Sequence, residues 1–278
     1  EDTRFDPFFL SIWDYYNPEI TEGRIIPNSK GPNDYNMEEW QAYFGGIPQE
    51  DIYHIVYKQS ISAMDTFLMV CDKKITNPGE PYRFAAGKKH LMDGFEYLKY
   101  AKKLEQYLYV DAWEYAHPAA DAKTLKSLGE ELLLKFRSIS NKSLRMRYGF
   151  QYTRVCHAIG AYNEGIRFVD AEYRFLPSEG FMYYRTMGYK AACHYRLKQY
   201  AQANILYARL YDLGEAFKFE AFQSFHPQNE TEWNQTLSLA ANLREKEVLW
   251  HLFGAYVDPL RGMKEIAKLN PSSDLLPL

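Results

Sequence analysis

The chain has 278 residues, 46% of them hydrophobic and 25% charged, with a net charge of -3 at pH 7. That is enough chain to bury a sizeable core in one large domain or two ordinary ones. Its charge gives no general pull towards nucleic acid or an acidic membrane, and no run reaches the roughly 18 apolar residues of a membrane-spanning helix.

Aromatic residues make up 17% of the chain, with 24 Tyr. A large ring with a polar tip suits helix interfaces that stay half wet, or a surface that binds something. Three cysteines, Cys71, Cys156 and Cys193, each inside an apolar helical pattern, are too few and odd in number for a disulfide framework. The chain opens Glu1-Asp2-Thr3 without Met, which fits a processed form or one from which a leader was removed.

Residues 1–46 read as an irregular arm. Asp6 and Pro7 can start a short helix with Phe8, Phe9, Ile12 and Trp13 on its apolar stripe. A Pro-, Gly- and Asn-rich stretch over 18–34 follows, and Asn36 is placed to cap a helix over 37–44 that Gly45-Gly46 ends. Residues 47–139 are the N-terminal helices. A long helix is expected from Pro48 to Asn77, on Ile52, Ile55, Val56, Ala63, Phe67, Leu68 and Cys71. A second is expected over 81–107, with Leu91, Phe95, Leu98, Ala101 and Leu104 on one face. After a looser stretch containing His117-Pro118, Asp121 caps a helix carrying Leu125, Leu128, Leu132 and Phe136. Ser140 starts the next, with Leu144, Tyr148, Tyr152, Val155 and Ile159 facing inwards.

Residues 140–278 carry an irregular repeat. Gly160-Ala161-Tyr162 makes a turn, Gly165 is a small residue three positions on, and Pro177 stops the helix. Lys198-Gln199-Tyr200 with Ala203, Tyr207, Leu210 and Leu213 is the next copy, and Gly254-Ala255-Tyr256 to Pro271 is a third with the Gly-to-Pro spacing of the first. In the third copy Asp258 and Pro259 depart from the pattern and read as cap and first helical residue. An aromatic insertion, with Phe217, Phe219, Phe222 and Phe225, precedes a helix through Trp233, Leu237 and Ala240 that Asn229 or Thr231 caps. This half of the chain resembles tetratricopeptide repeats, helix-turn-helix units of roughly 34 residues. With Arg145, Arg147, Tyr148 and Arg154, then Tyr183-Tyr184-Arg185, then Trp250-His251, it is similar to bacterial envelope proteins of that type. The resemblance implies an exported or periplasmic helical repeat protein, with cytoplasmic placement as the alternative, and it implies no activity. The apolar ending Leu275-Leu276-Pro277-Leu278 after Ser272-Ser273 reads as a helix start, so the expectation is a fragment of a longer chain.

Catalytic and ligand motifs are weak. Ala85-Ala86-Gly87-Lys88-Lys89 lacks the earlier glycine and the following Ser or Thr of a phosphate loop. Cys156-His157 and Cys193-His194 fall at similar phases of adjacent hairpins, but neighbours on a helix point about 100° apart and cannot easily share one metal. Glu247 and His251, four apart, read as a surface ion pair. No cofactor or metal is expected, and no catalytic residue is assigned.

Charge distribution says more. Between Lys142 and Arg209 stand eleven basic residues against four acidic ones, while residues 1–40 hold nine acidic against three basic. Arg147 and Arg154 share one helix face, as do Arg185 and Arg196. Arginine grips carboxylates with two parallel hydrogen bonds. The reading is an all-α, irregular tetratricopeptide-like superhelix (α-solenoid) of about ten to thirteen antiparallel helices in a single domain over 1–278. Its function is then a non-enzymatic scaffold that binds a protein or acidic peptide in a concave groove, through Arg147, Tyr148, Arg154, Tyr184, Arg185 and Arg196. The alternatives are a glycan-binding envelope protein, its rings stacked on sugars, and a structural module whose acidic N-terminal arm fills its own groove.

Overall fold

The computed structural model describes residues 32–45, 47–108 and 122–276. Over these the protein is all-α, with thirteen α-helices, short 3₁₀ turns, one π-helical turn and, among the described residues, no strand. The chain divides into two compact units, Asn33–Cys193 and one that contains His194–Leu278. The helix expected after Asp6, the arm ahead of Pro32, Gly46, the His117-Pro118 stretch and the Asp121 cap lie outside the described residues.

In the first unit α1 (Pro32–Phe44) starts ahead of the position expected, so Asn36 sits inside the helix and not at its cap. Met37, Trp40 and Phe44 form its buried stripe. The single helix expected between Pro48 and Asn77 is broken in two. α2 (Gln49–Tyr53) runs into a π turn, His54–Lys58, Gln59 is extended, and Ser60 caps α3 (Ile61–Cys71) by accepting the Ala63 N–H at 3.2 Å. The side chain that stabilises this break comes from far along the chain: buried Lys102 donates to the Val56 carbonyl at 2.6 Å. Burial lowers the Lys102 pKa, and its amine meets a backbone carbonyl that needs a donor.

The second long helix also begins later than expected. Residues 81–91 form 3₁₀ turns (Arg83–Ala85 and Lys89–Leu91), and only then does α4 (Met92–Leu108) start. α3 and α4 pack as a pair, with Phe67 stacked on Phe95 at 4.4 Å between ring centres. Such pairs add about 0.5–1.5 kcal/mol beyond their buried area.

α5 (Ala122–Ser138) buries Leu125, Leu128, Leu132 and Phe136 as its pattern requires. α6 (Lys142–Ala158), capped by Asn141 and not by Ser140, departs from its pattern: it is packed by α4, α5 and α7. That is why its apolar periodicity is weak, since a helix covered along most of its length, with only its ends exposed and Arg145, Arg154 and His157 half-buried, needs little polar stripe. The turn after it places Gly160 at φ 77°, and α7 (Tyr162–Glu172) returns against α6. A 3₁₀ turn, Tyr173–Phe175, and Pro177 lead to α8 (Phe181–Arg196).

In the second unit α9 (Tyr200–Leu213) is the hub, packed by α10 (Lys218–Ser224), α11 (Glu230–Ser238) and α12 (Leu243–Tyr256). Asn229 and Asn242 cap α11 and α12 with their side chains, and Asp258 caps α13 (Pro259–Leu269), with Pro259 as its first residue. α12 and α13 approach closely at two glycines: a Cβ on Gly262 would lie 2.7 Å from the Gly254 Cα. Trp233, Trp250 and Phe253 fill the interior, with Trp233 and Phe253 stacked at 4.7 Å.

Candidate functional site

The site grows from one face of α6. Residues 147, 151 and 154 recur at four- and three-residue steps, so Arg147, Gln151 and Arg154 project in one row. The first member is not at the surface. Arg147 is 2% exposed, and its guanidinium lies over the Trp40 ring at 4.3 Å. It donates to Asn36 Oδ1 at 2.8 Å and to Glu39 Oε2 at 2.9 Å. The other Glu39 oxygen accepts the backbone N–H of Phe181, the first residue of α8, at 2.8 Å. One carboxylate from α1 thus joins the arginine of α6 to the positive end of α8. Asn36 in turn donates to the Tyr57 hydroxyl at 2.7 Å, which the π turn presents.

Arg147 and Tyr148 are therefore corrected as groove residues. Tyr148 is fully buried, edge-on to Tyr97 at 5.1 Å, and its hydroxyl has no hydrogen-bond partner. Both lie inside because α1 covers Arg147 and α4 covers Tyr148. Removing one partner from a buried ion pair typically costs about 3–5 kcal/mol, which makes the Arg147–Glu39 contact a structural fixture.

Arg154 is half-buried, with one long bond to the Leu108 carbonyl at 3.5 Å. Arg185, half-buried on α8, lies 4.9 Å from the Phe150 ring centre and 5.6 Å from that of Phe181. Among the described residues neither pairs with a carboxylate. Phe150 precedes Arg154 by one turn, so the two arginines flank the same stretch of α6. Tyr184, half-buried beside Arg185, packs edge-on to Tyr183 at 5.3 Å, and burial raises its pKa. Arg196 is exposed at the far end of α8, past the division between the units.

At the centre sits Tyr97, 3% exposed, whose hydroxyl accepts from Gln151 Nε2 at 3.1 Å. Burial pushes the Tyr97 pKa up, while Arg147, the Gln151 bond, Arg185 and Arg154 pull it down. Three guanidinium groups thus act on one buried hydroxyl. The other end of the Gln151 amide, Oε1, has no partner although the side chain is only 5% exposed. An unmet buried polar atom of this kind costs about 1–3 kcal/mol.

Sequence reasoning missed Asn36, Glu39, Tyr57, Tyr97 and Gln151. Gln151 was within reach, since it lies in the same helical row as the two arginines. Glu39 carried only the general signal of an acidic N-terminal stretch opposite a basic one.

Other expected features resolve differently. Glu247 and His251 do not pair: Glu247, 3% exposed, accepts from Ser273 Oγ at 2.6 Å and Asn270 Nδ2 at 3.1 Å. His251 meets the Tyr211 hydroxyl at 3.2 Å, and burial lowers its pKa. Cys156 and Cys193 are buried, free thiols on either side of Gly165, and burial raises the pKa of both. His157 packs against Tyr162 and Tyr189, and no group of three metal-ligating side chains occurs among the described residues. Gly87, at φ 67°, lies in a turn beside the Lys73 side chain, and Lys89 pairs with Asp72 at 3.2 Å. Aromatic rings fill helix interfaces throughout, as in the Trp40, Phe44 and Tyr97 group and the Trp233, Trp250 and Phe253 group. Among the described residues no helix is long and apolar enough to cross a membrane. Compared with known families, with curated proteins and with solved structures, the chain matches none.

Proposed function

We propose that this protein is a non-enzymatic interaction scaffold that takes acidic side chains of a protein or peptide partner on the surface around Arg154, Tyr184 and Arg185. The observation that carries this reading is a contrast among arginines in one cluster. Arg147 inside is saturated by Asn36 and Glu39, whereas Arg154 and Arg185 beside it meet no carboxylate among the described residues. Arg185 lies over the Phe150 and Phe181 rings, so its planar fork loses less freedom when it engages a carboxylate. The repeat resemblance of residues 160–177 supports a scaffold and a place in the cell envelope; in the copy over 254–271 Gly254-Ala255-Tyr256, expected as a turn, lies inside α12. Fractionation of the native cells tests the location.

Fluorescence anisotropy with a dye-labelled library of acidic peptides tests the binding. Wild type should bind at low salt, weaken at high salt, and lose binding in an Arg154→Gln, Arg185→Gln double variant. Equal binding of a neutral library, or an unaffected double variant, removes the reading. The glycan alternative has less support, because among the described residues the Trp40, Phe44 and Tyr97 group and the Trp233, Trp250 and Phe253 group lie inside helix interfaces. The structural-module alternative is favoured by one specific contact, Glu39 on Arg147, in which the acidic N-terminal stretch neutralises a basic residue of the same chain. It expects the double variant to change nothing except surface charge.

A further inference from the structure

We propose that Arg154, Arg185 and the unpartnered end of the Gln151 amide form one discrete subsite for a single oxyanion, beside the Tyr97 hydroxyl. The inference rests on the scaffold reading for its biological meaning, but its chemistry is separate and is tested separately.

Three features of the place argue for it. Arg154 and Arg185 approach the same stretch of α6, one from its own helix and the other from α8 across Phe150, and no carboxylate answers either among the described residues. Every arginine with an ion pair in the second unit shows the usual outcome: Arg209 lies on Glu245, Arg244 on Asp212, and Arg261 on Glu230. Two guanidinium groups left together without an acid repel each other, and an anion removes that repulsion.

The third feature is Gln151. Its amide donates to Tyr97 and leaves Oε1 with nothing to accept from, at a position that is 95% covered. A carboxamide can present either end. Turned over, its oxygen accepts the Tyr97 hydroxyl proton and its NH2 group becomes the end without a partner, for which an oxyanion oxygen is a fitting acceptor. Binding an anion therefore satisfies a buried group that is unsatisfied without it. Arg147 does not compete, because Asn36 and Glu39 already hold its guanidinium.

The subsite suits either a carboxylate, from an acidic side chain or a peptide terminus, or a phosphate group. Calorimetric titration of the full chain with glutarate, with inorganic phosphate, and with sodium chloride at matched ionic strength separates the sources. We expect saturable binding of at least one oxyanion and none of chloride. Arg185→Gln and Arg154→Gln should each weaken it roughly tenfold or more, as loss of a charge-assisted hydrogen bond does. Gln151→Leu, similar in size, should weaken it several-fold. Circular dichroism confirms that each variant is folded, and Arg137→Gln, at a distant exposed arginine, serves as the control that should change nothing. A preference for glutarate assigns the subsite to acidic peptides, and a preference for phosphate assigns it to phosphorylated ligands. Absence of saturable binding, or equal weakening by Arg137→Gln, overturns the proposal. Oxyanion binding without capture of acidic peptides keeps the subsite and removes the scaffold reading; peptide capture with no oxyanion effect does the reverse.

Discussion

The two units handle buried charge in opposite ways. In Asn33–Cys193 the buried charges are cations: Arg147 sits over Trp40 and is answered by the Glu39 carboxylate, and Lys102 donates to the Val56 carbonyl. In His194–Leu278 the buried charges are carboxylates. Glu232 is held by the Thr236 hydroxyl at 2.6 Å, the Asn204 amide at 3.2 Å and the Gln228 N–H at 3.0 Å, and Glu247 by Ser273 and Asn270. Neutral donors suffice there because a carboxylate accepts several hydrogen bonds, whereas a guanidinium has only donors and gains most from an anion. The half-exposed arginines differ too: Arg209, Arg244 and Arg261 in the second unit meet acids, while Arg154 and Arg185 in the first meet none among the described residues.

The sharpest break of this comparison is Glu39→Ala. It leaves Arg147 buried without its anion and frees the Phe181 amide, and it should cost about 3–5 kcal/mol in urea unfolding. Hydrogen exchange should then rise first in α1. Glu39→Gln keeps the acceptor and should cost less, and equal losses would mean that shape, not charge, holds the contact. Next in size is Gly262→Ala, where the new methyl meets the Gly254 backbone at 2.7 Å. Backbone cannot step aside as a side chain does, so a loss of about 1–3 kcal/mol is expected, read as a lower melting temperature.

The pH dependence comes third. Burial depresses the His251 pKa below its ordinary 6.5, so the folded state prefers the neutral ring. Its contribution is complete above that value and is lost as pH falls below 6.5 through the folded pKa, with a slope of at most about 1.4 kcal/mol per pH unit for one proton. A His251→Gln variant should flatten stability between neutral and mildly acidic pH, and an unchanged profile would assign the slope elsewhere. The smallest effect is expected for Glu247→Gln, under about 1.5 kcal/mol, since the amide keeps an acceptor for Ser273 or Asn270. A loss as large as that of Glu39→Ala would show that the two units treat charge alike.

Much of the architecture could be read from the residues. The Asp258 cap with Pro259, the Gly160 turn and the stripe of Leu125, Leu128, Leu132 and Phe136 are local statements, and each helix obeys them, whereas the helix expected to run to Pro177 ends at Glu172 and passes into a 3₁₀ turn. The failures were equally physical. The helix breaks at residues 59 and 60, where Ser60 caps the next helix and Lys102, some forty positions later, supplies a donor to the Val56 carbonyl. The candidate site was legible only as a row on α6. Arg147 and Arg154 share that row, yet α1 covers the first and not the second, and nothing within a few residues of either distinguishes them.

Periodicity and capping thus sufficed for an all-helical chain, for its later hairpins and for an excess of arginine on α6 and α8, because those follow from a residue's near neighbours. Which arginine is entombed and which stays half-buried depends on contacts across more than a hundred residues, such as Glu39 with Arg147 and with Phe181. Burial and ion pairing are properties of the packed interior, and only the folded chain brings those groups together.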